Sequence, residues 1–76
     1  MLISHSIKSI SFENDVLILQ TDEKFFKIAL EKLSVKLKNA DDFQRSFYKI
    51  SPSGYGIHWP LIDEDISVEA IIKSQN

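Results

Sequence analysis

The residues best suited to do chemistry lie in one short segment, from Gly54 to Asp65. This segment contains both glycines, the only tryptophan and one of the two prolines of the chain, and it ends in three consecutive acids, Asp63 to Asp65. Carboxylates are the ligands that hard divalent cations prefer, and His58 would add the nitrogen that suits a transition metal. A catalytic metal site needs about three well-placed protein ligands, and His5 is the only other imidazole.

The acids have a second interpretation, because an apolar tail with helical spacing follows them. Carboxylates in front of a helix stabilise it by about 0.3–1 kcal/mol each through its dipole. We therefore predict that Asp63 to Asp65 open a C-terminal helix containing Ile66 and Ile71, with Ser67 or Asp65 as N-cap. We expect no metal and no other cofactor, and a divalent-metal-dependent enzyme is the weaker alternative.

Other catalytic patterns are incomplete. The serines at positions 51, 53 and 67 lie near His58 in the sequence, but no Gly-x-Ser-x-Gly nucleophile elbow is present. The run from Gly54 to Gly56 lacks the later glycine or Gly-Lys-Ser that brings amides and a cation to phosphate. The sequence therefore favours a protein that is not an enzyme.

The same segment suits a binding surface. Trp59 can anchor either the core or a protein interface, and Pro60 keeps it in an extended conformation. His58 can act as a pH switch or be held by a hydrogen bond, for example to one of the acids. The residues predicted to contact a protein partner are Tyr55, His58, Trp59, Asp63, Glu64 and Asp65.

The elements that must position this segment follow from hydrophobic periodicity. Residues Lys8 to Phe12 alternate as in a half-buried strand, and Asn14 with Asp15 forms a two-residue turn. Val16 to Thr21 and Lys24 to Ala29 read as two further strands, so we predict an antiparallel meander.

From Leu30 the apolar period changes to that of a helix. Leu33 and Leu37 continue the stripe, and a second short helix after Asp41 would turn Phe43 and Phe47, at i and i+4, toward the core.

A short strand from Tyr48 to Ile50, a turn at Ser51 to Gly54 and a strand from Ile57 to Trp59 complete a further hairpin before the C-terminal helix. The predicted class is a small α+β fold, with residues 1–76 forming one domain.

Composition limits the setting and the class of protein. The chain has 76 residues, no cysteine and an apolar fraction of 43%, which suits a small packed domain without disulfides or thiolate zinc. The first residues lack the apolar run of a signal peptide, and no apolar stretch of the sequence is long enough to span a bilayer. We expect a cytoplasmic protein without a membrane partner, and oligomerisation would enlarge so small a core.

The net charge of −2 hides an uneven distribution. Residues 24–49 carry an excess of lysine and arginine, whereas the segments on either side carry an excess of acids. A nucleic-acid-binding regulatory module is therefore the alternative function. Its candidate contact residues are Lys32, Lys36, Lys38, Arg45 and Lys49.

One run resembles a known signature. Gly54-Tyr55-Gly56-Ile57-His58-Trp59-Pro60, followed by Ile62-Asp63-Glu64-Asp65-Ile66-Ser67-Val68-Glu69, is similar to the signature of a bacterial family named as domain of unknown function 2442. The helical part from Ala29 to Ala40, with Gln44 and Arg45, resembles the same family, so the likeness covers roughly residues 7 to 72. Members often have Pro where Ala29 stands and Gly where Ala70 stands.

The resemblance implies a small α+β domain without established catalytic residues. Some members are joined to a helix-turn-helix domain, and others look like one half of a gene pair resembling toxin and antitoxin units. For this chain we expect the module alone, acting by contact with the protein product of an adjacent gene.

Overall fold

The computed structural model describes residues 7–22, 24–52 and 54–75. His5 and Ser53, which enter the sequence predictions, lie outside these ranges. Within them the chain forms two three-stranded antiparallel sheets, short helices between the sheets and a C-terminal helix, as the predicted α+β class requires.

The first sheet is the predicted meander. Its strands are β1 (Ile7–Glu13), β2 (Val16–Thr21) and β3 (Phe25–Ala29), in the order β1-β2-β3. Asn14 has a positive φ of 56°, which the tight β1–β2 turn needs and which Asn tolerates better than most residues. The register places Ile10 of β1 and Phe26 of β3 on either side of Leu19 of β2, and all three side chains lie on the face toward the core.

The helical segment after the sheet is divided in two. Helices α1 (Leu30–Leu33) and α2 (Val35–Lys38) are separated by Ser34, whose φ of −161° is extended. Ser34 caps α2, because its side chain accepts a hydrogen bond from the Leu37 amide at 3.1 Å. The predicted apolar stripe is present, and Leu30 and Leu37 are buried.

Helix α3 (Asp42–Ser46) begins at Asp41 with a capping box. The prediction that Phe43 and Phe47 face the core is wrong, because these side chains are 67% and 47% exposed. Arg45 takes the inward position instead and is only 7% exposed.

The second sheet consists of β4 (Lys49–Ile50), β5 (Gly56–Trp59) and β6 (Glu64–Ser67), in the order β4-β5-β6. The sequence predicted β4 and most of β5 but not β6. Asp63 reverses the chain with a φ of 51°, so the turn after Trp59 leads into a strand.

The last helix, α4 (Val68–Lys73), therefore starts later than predicted. The expectation that Asp63 to Asp65 open it is wrong, since Glu64 and Asp65 belong to β6. Ser67 is the N-cap, one of the two residues proposed for that role, and its side chain accepts from the Ala70 amide at 2.9 Å.

The core lies where both sheets and the helices meet. Trp59, Leu17, Leu19 and Ile71 are among its fully buried side chains, and Phe12 and Tyr48 pack against it. In the ranges that the structure describes, no helix combines the length and apolar character needed to cross a membrane.

Candidate partner-binding groove

A surface depression lies on the second sheet. It is a groove of about 760 Å³, lined by all three strands and by the loop between β4 and β5. Among the residues that line it are Lys49, Pro52, Tyr55, His58, Asp65 and Ser67.

Three of these residues form a row across the sheet. Lys49 pairs with His58, and His58 pairs with Asp65, so the register places all three side chains on the same face. Directly opposed residues of an antiparallel pair have Cβ atoms about 4.5–5.5 Å apart. The groove therefore carries a cation at one side, an imidazole in the middle and a carboxylate at the other side.

His58 is held by Asp65 through a contact of 2.8 Å between Nδ1 and Oδ1. A proton on Nδ1 lets the ring donate to the carboxylate, and Nε2 is then the ring atom left to contact a ligand. The two side chains are 40% and 78% exposed, so both remain accessible at the groove.

Ser51 positions the rim at Tyr55. Its side chain accepts hydrogen bonds from the amides of Tyr55 and Gly56, both at 3.1 Å, and its amide donates to the Gly56 carbonyl at 2.9 Å. Gly54 has a φ of 76°, which a residue with a Cβ rarely adopts. The loop thereby leaves Tyr55 39% exposed at the rim of the groove.

Trp59 does not belong to this surface. Its side chain is completely buried, its Nε1 donates to the Arg45 carbonyl at 3.0 Å, and the rings of Phe12 and Tyr48 lie against it. Trp59 is therefore a core anchor, the other role that the sequence offered for it, and in the isolated chain its side chain has no surface for the predicted contact with a partner.

Asp63 and Glu64 contact α2 and its cap rather than lining the groove. The Ser34 hydroxyl donates to Glu64 Oε2 at 2.6 Å, and Lys36 Nζ donates to the Asp63 carbonyl at 3.0 Å. Of the six residues predicted to bind a partner, the structure brings Tyr55, His58 and Asp65 together at the groove.

The same geometry bears on the metal alternative. In the described parts of the chain, no three His, Cys, Asp or Glu side chains are grouped as a metal site would need. Asp65 contacts His58, whereas Glu64 bonds to Ser34, so the carboxylates diverge.

The five basic residues predicted to contact nucleic acid differ in burial and in the groups they contact. Arg45 is buried, and its guanidinium donates to acceptors of the protein itself, so in this structure it is not exposed for the predicted nucleic-acid contact. Lys36 is bonded to the Asp63 carbonyl, and Lys38 lies 3.8 Å from Glu31. Lys32 lies in the last turn of α1, and Lys49 lines the groove. Nucleic-acid binding itself stays a prediction.

The sequence analysis did not connect Lys49 with His58, although the structure places the two opposite each other at the groove. The signal that would have placed it was the predicted hairpin, because pairing residues 48–50 with 57–59 sets position 49 opposite His58. Ser67 was identified only as a cap, yet it lines the groove as well.

Comparison with known proteins identifies the family. No curated protein and no solved structure gives a significant match to the chain. The family model described as "Protein of unknown function (DUF2442)" matches residues 7–75, which is nearly the whole chain and includes every residue of the groove. The chain therefore belongs to this family.

Proposed function

We propose that the protein is a non-catalytic binding module that acts through protein–protein contact at the groove of the second sheet. The observation that carries the proposal is the coincidence of an accessible groove with the row formed by Lys49, His58 and Asp65. Its partner is the protein product of an adjacent gene, in a pair that resembles toxin and antitoxin units.

The open position of the groove and the side chains at its rim favour a macromolecular partner. The groove opens on the face of the sheet rather than in the interior, and Tyr55 forms an aromatic rim at one end. Tyrosine is enriched at protein interfaces because its ring supplies contact area while its hydroxyl hydrogen-bonds. Ile50, 37% exposed, adds apolar surface at the same groove.

The charged row supports specificity for one orientation of the partner. Lys49 and Asp65 lie on the two outer strands, about 9–10 Å apart across the sheet by the usual strand spacing. Complementary charges on a partner segment would match this order in one direction and oppose it in the other, and such complementarity fixes register.

The proposal is tested by co-expressing the protein with the product of the neighbouring open reading frame and capturing it by affinity. We expect a stoichiometric complex with the native protein. Tyr55→Ala and Asp65→Lys, each separately, should weaken the complex about tenfold or more, as for the loss of a central interface contact.

Matched controls separate a lost contact from a lost fold. Phe47→Ala removes an aromatic ring of similar exposure outside the groove, and Asp22→Lys makes the same charge reversal at another exposed acid. Both controls should bind like the native protein. Recovery of the native chain without a stoichiometric partner, or equal binding by the groove variants and the controls, would contradict the proposal.

A further inference from the structure

A second groove lies between strand β1 and helix α3. It has a volume of about 470 Å³ and is lined by Ile10, Ser11, Phe12, Asp42, Arg45, Ser46 and Tyr48. None of these residues lines the groove on the second sheet. The two depressions are therefore separate surfaces.

One wall of the second groove is a sheet edge. Among the strands that the structure describes, β1 is the outer strand of the order β1-β2-β3 and pairs with β2 alone. In an antiparallel ladder alternate residues direct their amide and carbonyl groups to the partner, and the others point away from it. An edge strand thus offers hydrogen-bonding groups to an additional strand.

The open part of this edge is short. The register of β1 against β2 shifts between Ile7 and Ser9, and Lys8 in that interval is exposed. Bulges and lysines at edges prevent extended pairing between sheets of identical copies. The regular part, Ser9 to Glu13, is long enough to pair with a short extended segment of another polypeptide.

The exposed charges at the Glu13 end of this part are negative, whereas Lys8 lies beyond its other end. Asp42 lines the groove, and Glu13 at the end of β1 is exposed. The guanidinium of Arg45 adds no free positive charge, since it donates to three backbone carbonyls and to the Asp15 carboxylate. The groove therefore favours a cationic side chain at this end.

The groove also has apolar surface for an alternate side chain. Phe12 and Tyr48 both line the groove, are partly buried and pack against the core. A strand added to β1 would direct every second side chain toward these rings, as the two-residue period requires.

We propose that the groove between β1 and α3 binds an extended segment of a partner polypeptide, in which apolar residues alternate with polar ones and a lysine or arginine meets Asp42 and Glu13. The segment adds to the edge of β1 as a fourth strand of the first sheet. This surface is independent of the groove assigned to the adjacent gene product.

The proposal is tested with a phage-displayed library of random dodecapeptides selected on the immobilised full chain. We expect enrichment of peptides that alternate in polarity and carry a lysine or arginine. A synthetic peptide of the most enriched sequence is then titrated by fluorescence anisotropy. Asp42→Lys should weaken its binding about fivefold or more, because attraction becomes repulsion.

Two controls locate the site. Asp22→Lys makes the same charge reversal at the opposite end of the β1–β2 hairpin and should leave peptide affinity unchanged. Tyr55→Ala, in the other groove, should also leave it unchanged, so failure of this proposal is separable from failure of the proposed function.

Amide hydrogen exchange tests the strand addition itself. Bound peptide should slow exchange of alternate amides between Ile10 and Glu13 by about tenfold or more, while the β2 amides keep their rates. The proposal is overturned if no peptide is enriched, if the enriched peptides are acidic, if Asp42→Lys binds them normally, or if β1 gains no protection.

Discussion

Arg45 is the buried charge on which the association of α2, α3 and the first hairpin depends. Its Nε donates to the Leu37 carbonyl at 3.0 Å, and its two terminal nitrogens donate to the carbonyls of Asn14 at 3.0 Å and Lys38 at 2.9 Å. A fourth contact, of 3.1 Å, reaches the Asp15 carboxylate. We predict that Arg45→Met destabilises the protein by about 3–5 kcal/mol.

The magnitude follows from what the substitution leaves behind. Methionine fills much of the same volume, so the loss is mainly that of hydrogen bonds. The Leu37 carbonyl belongs to a buried residue; it keeps the bond from the Ala40 amide at 3.2 Å but loses the one from the guanidinium, and hydrogen bonds to charged groups contribute about 1.5–3 kcal/mol. The carbonyls of exposed Asn14 and Lys38 can regain water and cost less, and Asp15, with its side chain 64% exposed, contributes at most about 1 kcal/mol.

Urea unfolding followed by the fluorescence of Trp59, the only tryptophan, measures this loss. With a slope of about 1 kcal/mol per molar urea for so small a domain, the midpoint should fall by about 3 M or more. Arg45→Lys keeps the charge but not the planar fork of donors, so its urea midpoint should lie between those of Arg45→Met and the native protein. If the methionine variant is too unstable to fold, the lysine variant alone carries the measurement.

Asp15→Asn is the matched control, because it removes the one carboxylate and leaves the three carbonyl contacts in place. It should cost less than about 1 kcal/mol. A methionine variant within about 0.5 kcal/mol of the native protein, or an Asp15→Asn variant as unstable as Arg45→Met, would refute the reasoning.

Further predictions concern the core and the last helix. Trp59→Phe should cost about 2–3 kcal/mol in urea unfolding followed by circular dichroism, because it removes the bond to the Arg45 carbonyl and leaves a cavity; an unchanged midpoint would contradict this. Ser67→Ala should cost about 1 kcal/mol and Ser67→Asp much less, since aspartate also caps α4; equal losses would argue against the cap. The hydrogen bond and charge of Glu69 raise the pKa of Lys73 above 10.5, and the two side chains lie 2.9 Å apart. Their stabilisation is therefore full below the ordinary lysine pKa and lost as pH rises through the raised value; Glu69→Gln should return the Lys73 pKa toward 10.5 in an NMR titration, and no change would contradict the pairing.

The first sheet could be predicted from the sequence because its signals are local. Strict alternation marks β1, the Asn14 and Asp15 pair marks the turn, and the β-branched run from Val16 to Thr21 marks β2. These signals agree with one another over short distances, so no distant contact was needed to decide the register.

The inward position of Arg45 could not be predicted in the same way. The apolar spacing of Phe43 and Phe47 favours a helix that buries both rings, and propensity offers no reason to bury an arginine between them. The four acceptors that make this burial favourable come from residues 7, 8, 30 and 31 positions away in the chain. Only the tertiary structure brings them together.

The prediction that the acidic segment opens a helix failed for a different reason. Its charges are compatible with a helix start and with a strand. The strand forms because residues of β6 pair with β5, where Ile66 lies opposite Ile57 and is buried. The candidate site was therefore predicted in part. Tyr55, His58 and Asp65 were identified as residue types, but their meeting with Lys49 required the β4–β5–β6 register.

The order of strands has a consequence for how the protein folds. Each sheet is built from consecutive strands, so every ladder joins segments that are neighbours along the chain. Such local pairing keeps contact order low and favours fast folding, and each meander can begin to form before the other. The late step is then the docking of the two meanders through side chains, with Trp59 of the second against Phe12 of the first. Mutations at that contact should slow folding less than they accelerate unfolding, because it forms after the local ladders.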